Sequence, residues 1–164
     1  MDFSGLYERY ARDVHRFALF LSGNHALAED LTSETFVRAL VAADTLQVDT
    51  VKAYLLAIVR NLYIDVLRRD NRLVSLDGIP ERVDPRPKPD ASAEATIRLG
   101  EILEAVQQLP RHEREALVLA VDHELPYERV AAILGCSIPA VKVRVHRARA
   151  RLKTILDKES TCRT

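Results

Sequence analysis

The sequence predicts an all-α protein of two small helical domains, an N-terminal helical bundle and a C-terminal helix-turn-helix domain, joined by a proline-rich flexible linker. Three observations carry that prediction. Outside the middle of the chain, apolar residues recur at intervals of three and four, the spacing of one helix face. No Asn-Gly signal points to a hairpin. Four of the seven prolines, Pro80, Pro85, Pro87 and Pro89, fall within ten residues, and proline so dense cannot continue a helix or a central strand.

Taken in order, Leu6, Tyr10, Val14, Phe17 and Leu21 step along one face of a first helix, which Gly23 and Asn24 end. Asn24 can cap a second helix with Ala28, Leu31, Thr35 and Leu40 along one side, fading near Asp44. Thr50 can cap a third, whose stripe is Val51, Leu55, Ile58, Leu62 and Val66. These three make a bundle over residues 1–72, and residues 73–92 form a solvated linker. A second domain over residues 93–157 opens near Ala93 with a helix carrying Ile97, Ile102, Val106 and Leu109, stopped by Pro110. Helical segments over residues 113–123 and 127–134 precede a terminal helix over residues 137–153.

With 164 residues and 48% apolar composition the chain can bury a core. Its 24 basic and 24 acidic residues cancel, which alone argues against a nucleic-acid partner. Their distribution argues for one. Residues 53–76 carry net +2 and residues 137–164 net +6, while the remaining segments are acidic. Phosphate binding needs a local patch rather than a basic average. Neither Cys136 nor Cys162 stands in a CxxC pair or near clustered histidines, so no disulfide framework, metal site or cofactor is expected. The first residues lack the basic and apolar regions of a signal peptide, and the apolar runs are too short to span a bilayer, so a cytoplasmic location is expected.

Residues 127–142 have the grammar of a helix-turn-helix. Val130, Ala131 and Leu134 face inward, Gly135 supplies a left-handed turn, Ser137 caps the next helix, and Pro139 sits in its first turn, where its missing N–H costs nothing. The terminal helix is expected to bury Ile138, Val141, Val145, Ala148 and Leu152. Lys142, Arg144, Arg147, Arg149, Arg151 and Lys153 are then left for solvent or phosphate with no acid among them, whereas a merely solvated helix mixes signs. Ala140, Val143 and Arg147 point most directly away from the buried stripe. Val143 suits a thymine methyl, and Lys142 and Arg147 suit base edges. Arg149, Arg151 and Lys153 suit phosphates. A second basic place closes the third helix, where Asn61, Asp65, Arg68 and Arg69 form a polar ladder on one face.

Four motifs in order, AEDLTSETFVRA at 28–39, YLLAIVRNLYIDVLRR at 54–69, LPRHEREALVLAV at 109–121 and VKVRVHRARARL at 141–152, make the chain resemble the extracytoplasmic-function class of bacterial sigma factors. That resemblance implies core RNA polymerase and promoter DNA as partners, and an anti-sigma factor as regulator. It implies polymerase-clamp contacts at Asp30, Glu34, Thr35 and Arg38. It also implies a minus-ten surface at Asn61, Asp65, Arg68 and Arg69, and minus-thirty-five readers on the terminal helix at Lys142, Arg144 and Arg147. With their neighbours Ser137, Ala140, Val143, Arg149 and Arg151 these complete the duplex-binding set.

The chain departs from the family's pattern at Ser33, where glutamine is usual, at Leu40, where tryptophan is frequent, and at Val143, where a small polar residue is common. The loop at 43–49, the family's pocket for a flipped base, has no aromatic, which leaves Tyr54 and Tyr63 as the nearest stacking rings. An enzyme is not expected: His112-Glu113 begins like a zincin motif but Ala116 replaces the second histidine, and no phosphate loop or nucleophile elbow occurs. The rival readings are a helix-turn-helix transcription regulator that binds duplex DNA without polymerase, and an interaction protein such as an adaptor.

Overall fold

The structure is a computed structural model, and it describes residues 2–42, 50–77 and 93–162. Among these the only regular elements are helices: α1 (Phe3–Ser22), α2 (His25–Val41), α3 (Val51–Asp77), α4 (Ala93–Gln107), α5 (Arg111–Leu117), α6 (Tyr127–Leu134) and α7 (Ile138–Cys162). The chain divides into two compact units, Met1–Pro85 and Arg86–Thr164.

In the first unit α1, α2 and α3 pack on one another pairwise. Asp2 opens α1 by accepting the Gly5 N–H at 3.0 Å. Gly23 closes it at φ 65°, donating its N–H to Leu19 O, a left-handed stop that glycine adopts without steric cost. Asn24 then caps α2 through Oδ1, which accepts the Leu27 N–H at 3.0 Å. All five predicted α1 residues are buried, together with Ala18, Leu19 and Phe20.

The other two faces correct the sequence reading. Leu40, expected inside, is 52% exposed, while Thr32, Phe36 and Ala39 are buried. Leu40 lies five residues beyond Thr35, so at about 100° per residue it is carried round the helix, whereas Thr35, Phe36 and Ala39 hold the 3–4 spacing. On α3, Ile58 and Val66 are only half-buried. Leu56, Val59 and Tyr63 join Val51, Leu55 and Leu62 instead, because α3 is gripped by two helices and buries a wider face than one stripe. Thr50, expected to cap α3, stands in a tight turn just ahead of it. The helix runs to Asp77, past the expected boundary at residue 72. Residues 43–49 and 78–92, the expected base pocket and most of the expected linker, lie outside the described residues.

The second unit is built around α7, on which α4, α5 and α6 all pack. Only the C-terminal part of α4 enters the core, through Leu103, Ala105 and Val106, followed by Leu109. Ile97 and Ile102, predicted inside, are 60% and 46% exposed; five residues apart, they cannot share a helix face. The predicted helix at 113–123 is split. α5 passes at Leu117 into a π-helical turn, Val118–Asp122, closed by the His123 N–H donating to Val118 O at 3.1 Å. Glu124 follows at φ 53°, so the chain reverses by a wide turn and one strained residue rather than by a glycine.

Candidate nucleic-acid interface

The turn between α6 and α7 follows from three local devices. Gly135 stands at φ 65°, ψ 38° and donates its N–H to Ala131 O. The Cys136 N–H reaches the same carbonyl at 3.1 Å. Ser137 Oγ accepts the Ala140 N–H at 3.2 Å, so one orphan donor of α7 is satisfied before the helix proper begins. A Cβ at Gly135 would meet nothing within 4 Å; glycine is required there by backbone angle, not by space. Val130, Ala131 and Leu134 of α6 are buried as the pattern predicted.

Val141, Val145 and Ala148 hold α7 to the core, and Leu152 is half-buried. Ile138, expected inside, is 36% exposed because it opens the helix at the edge of the α6 contact. Opposite the buried stripe, Lys142, Val143, Arg147 and Arg149 are exposed, with Val143 at 46%, while Ala140 and Arg144 are half-buried. Helical geometry sorts these residues. Val143 and Arg147 lie at the crest, Lys142 and Arg149 on one flank, and Ala140, Arg144 and Arg151 on the other. Arg149 and Arg151, grouped by sequence, therefore look in nearly opposite directions. Arg151 also has a protein partner: its Nε lies 2.9 Å from Oε2 of Glu113 on α5. α7 runs beyond residue 153 to Cys162, and its Thr154, Ser160 and Thr161 hydroxyls donate to the carbonyls of Ala150, Leu156 and Asp157.

In the first unit, Asn61, Arg68 and Arg69 of α3 are exposed and Asp65 is half-buried. Asp65 Oδ1 stands 4.0 Å from Arg68 Nη1 with both side chains substantially exposed, a contact too loose and too wet to lock either residue. Tyr63 is buried at 7% and cannot stack on a base in this conformation; Tyr54 is half-buried.

The α2 set separates. Asp30 is exposed, and Glu34 accepts from Arg38 Nε at 3.1 Å across one turn of the outer face. Thr35 belongs elsewhere: it is fully buried and its hydroxyl donates to Leu31 O at 2.7 Å. The side chain is committed to the core and does not share a surface with the other three. Sequence reasoning missed the apolar residues that do. Val37 and Val41 are 58% and 89% exposed beside the Glu34–Arg38 pair, while Leu40, 52% exposed, lies further round the helix. Their one advance signal is that Val37 and Val41, four residues apart, fall outside the predicted stripe. Among the described residues no group of His, Cys, Asp or Glu could hold a metal ion, and no helix is long and apolar enough to cross a membrane.

A three-helix unit with a polar ladder on α3, followed by a helix-turn-helix unit with a basic outer helix, defines a two-part helical protein of the helix-turn-helix class. Comparison with known proteins gives its class. Residues 6–73 match Sigma-70 region 2, and residues 99–152 match Sigma-70 region 4. The ECF RNA polymerase sigma factor SigE of Mycolicibacterium smegmatis is 38% identical over 95% of this chain, which spans 62% of that protein's length. EcfG of Rhodopseudomonas palustris is 37% identical over 87% of this chain and 78% of its own. Among solved structures, the sigma factor RpoE of Bartonella quintana, crystallised with the anti-sigma factor NepR, superimposes with a TM-score of 0.82 at 33% identity. That match covers 95% of this chain and 97% of that one. The chain belongs to the extracytoplasmic-function family of RNA polymerase sigma factors, which are transcription initiation factors.

Proposed function

We propose that this sigma factor divides promoter recognition between its two units. The first, assigned to residues 1–72, binds core RNA polymerase through the exposed face of α2, with Asp30, Glu34 and Arg38 flanked by Val37, Leu40 and Val41. The same unit holds the melted minus-ten element on Asn61, Asp65, Arg68 and Arg69 of α3. The second, assigned to residues 93–157, places α7 in the major groove of the minus-thirty-five element. There Lys142, Val143, Arg144 and Arg147 read base edges while Arg149 and Arg151 meet phosphates. The chain between α3 and α4 links the two units, so that two modest sites act on one DNA.

The observation that supports this reading most directly is the outer surface of α7, with Val143 at its crest and exposed bases around it. An apolar crest amid cations gains nothing in water and fits the floor of a groove lined by thymine methyls. Each contact assigned is one of recognition, so the chain acts as an initiation factor inside the cell and not as an enzyme. Because the Bartonella quintana relative was solved with an anti-sigma factor, we assign this chain a regulator of the same kind.

The test is transcription in vitro with core polymerase and a promoter library. The reading expects initiation at one promoter class that core polymerase alone does not use. Tight binding of the isolated chain to duplex DNA, with no effect on core polymerase, would replace it by a polymerase-independent regulator.

A further inference from the structure

Arg151 combines two properties that a free surface base does not share. Its side chain is 59% exposed, yet its Nε lies 2.9 Å from a carboxylate that is only 10% exposed, Glu113 of α5. The approach is not a directed hydrogen bond, since Glu113 Oε2 has no hydrogen-bond partner. What holds the pair is charge attraction at an oxygen from which water is largely excluded, where screening is weak. A guanidinium is a planar fork of five N–H groups. An arginine paired through its Nε atom therefore keeps its two Nη groups for something else.

The position of Arg151 on α7 says what that is. It stands two turns beyond Arg144 on the flank that faces α5, across the helix from Lys142 and Arg149. A helix lying in a major groove has a phosphate backbone on each side, so its two flanks face different strands.

We propose that Glu113 is a positioning residue for promoter duplex. The buried carboxylate aims Arg151 so that its Nη groups meet a backbone phosphate on the α5 flank of α7, opposite the strand met by Arg149. This rests on the reading that α7 enters the groove of the minus-thirty-five element.

Charge alone predicts the opposite. A carboxylate beside a phosphate-binding arginine repels DNA, so neutralising it should tighten binding on every sequence. Positioning predicts that neutralising it weakens binding, because a freed Arg151 must lose side-chain entropy each time it docks. The sign of one substitution separates the two.

The experiment measures affinity of the full chain, assembled with core polymerase, for a duplex carrying the minus-thirty-five sequence returned by library selection, across a salt series. Arg151→Ala is expected to weaken binding about three- to tenfold on all sequences, in keeping with loss of one charge-assisted contact. It should also lower the salt slope by about 1. Glu113→Gln should weaken binding by a similar factor, and adding it to Arg151→Ala should change nothing further. Arg151→Lys keeps the charge over the buried carboxylate and covers the case in which the glutamine variant fails to fold. It should lose as much as alanine does, since a single ammonium cannot both hold Glu113 and reach the strand. Tighter or unchanged binding by Glu113→Gln, an effect of that substitution surviving in the Arg151→Ala background, or full affinity of Arg151→Lys overturns the proposal. A selected sequence preference that persists in the Lys142→Ala, Arg147→Ala double variant would instead remove the underlying reading of α7.

Discussion

Two glycines of the second unit should respond with opposite signs to the same substitution, and the turn that aims α7 can be tested through them. Neither Gly135 nor Gly100 has any atom within 4 Å of where a Cβ would stand, so replacement by alanine causes no clash at either. At Gly135 the backbone sits at φ 65°. A left-handed conformation costs an L-residue about 1–2 kcal/mol, partly offset by about 0.4–1 kcal/mol from the stiffer unfolded chain. The net is a loss of about 1 kcal/mol. Gly100 lies inside α4, where alanine is the better helix former by about 0.8–1.0 kcal/mol. Gly135→Ala should therefore destabilise the unit and Gly100→Ala stabilise it by a similar amount, with midpoint temperatures moving roughly 4–8 °C in opposite directions for a domain of this size. Thermal and urea unfolding followed by circular dichroism would measure both changes, and amide exchange at α6 and α7 would localise them. A neutral or stabilising Gly135→Ala would show that the turn does not depend on the left-handed residue and would refute the account of how α7 is aimed.

On the DNA side, Arg147→Ala should cost roughly 1–3 kcal/mol of discrimination at one base pair of the minus-thirty-five element, read as relative affinity over single-base variants; uniform weakening would make Arg147 a phosphate contact. Asn61→Ala should slow open-complex formation, followed by permanganate footprinting, more than it reduces initial binding, and unchanged melting would remove Asn61 from the minus-ten surface. For the polymerase face, Leu40→Lys and Val41→Lys should weaken binding to core polymerase with little change in the chain's melting temperature, because the side chains are 52% and 89% exposed and a cation suits the C-terminal turn of α2. Thr35→Val should leave polymerase affinity intact, because its hydroxyl is buried and bonded to Leu31 O; loss of affinity there would restore Thr35 as a contact.

Much of this was legible in the sequence because it is decided within a few residues. The stops at Gly23 and Gly135, the caps at Asn24 and Ser137, and the stripe from Leu6 to Leu21 depend on local backbone angles and one helical period. So does the basic outer side of α7, a matter of which residues fall opposite Val141, Val145 and Ala148. These features also sufficed to mark the family resemblance.

Tertiary structure decided which member of a near-periodic set goes inside and which charges meet. Thr35 and Leu40, five residues apart, point to different sides of α2, and the packing of α2 against α1 and α3 buries Thr35 and leaves Leu40 in solvent. Ile97 and Ile102 are as apolar as Leu103 and Val106, but the core reaches only the end of α4. The π-helical turn at Val118–Asp122 has no local spelling. Arg151 and Arg149 are alike in sequence, and Arg151 alone meets Glu113, a carboxylate far away in the chain that folding brings beneath its flank. Periodicity fixes direction around a helix axis, whereas the neighbour on that side is set by helices that the local sequence does not contain.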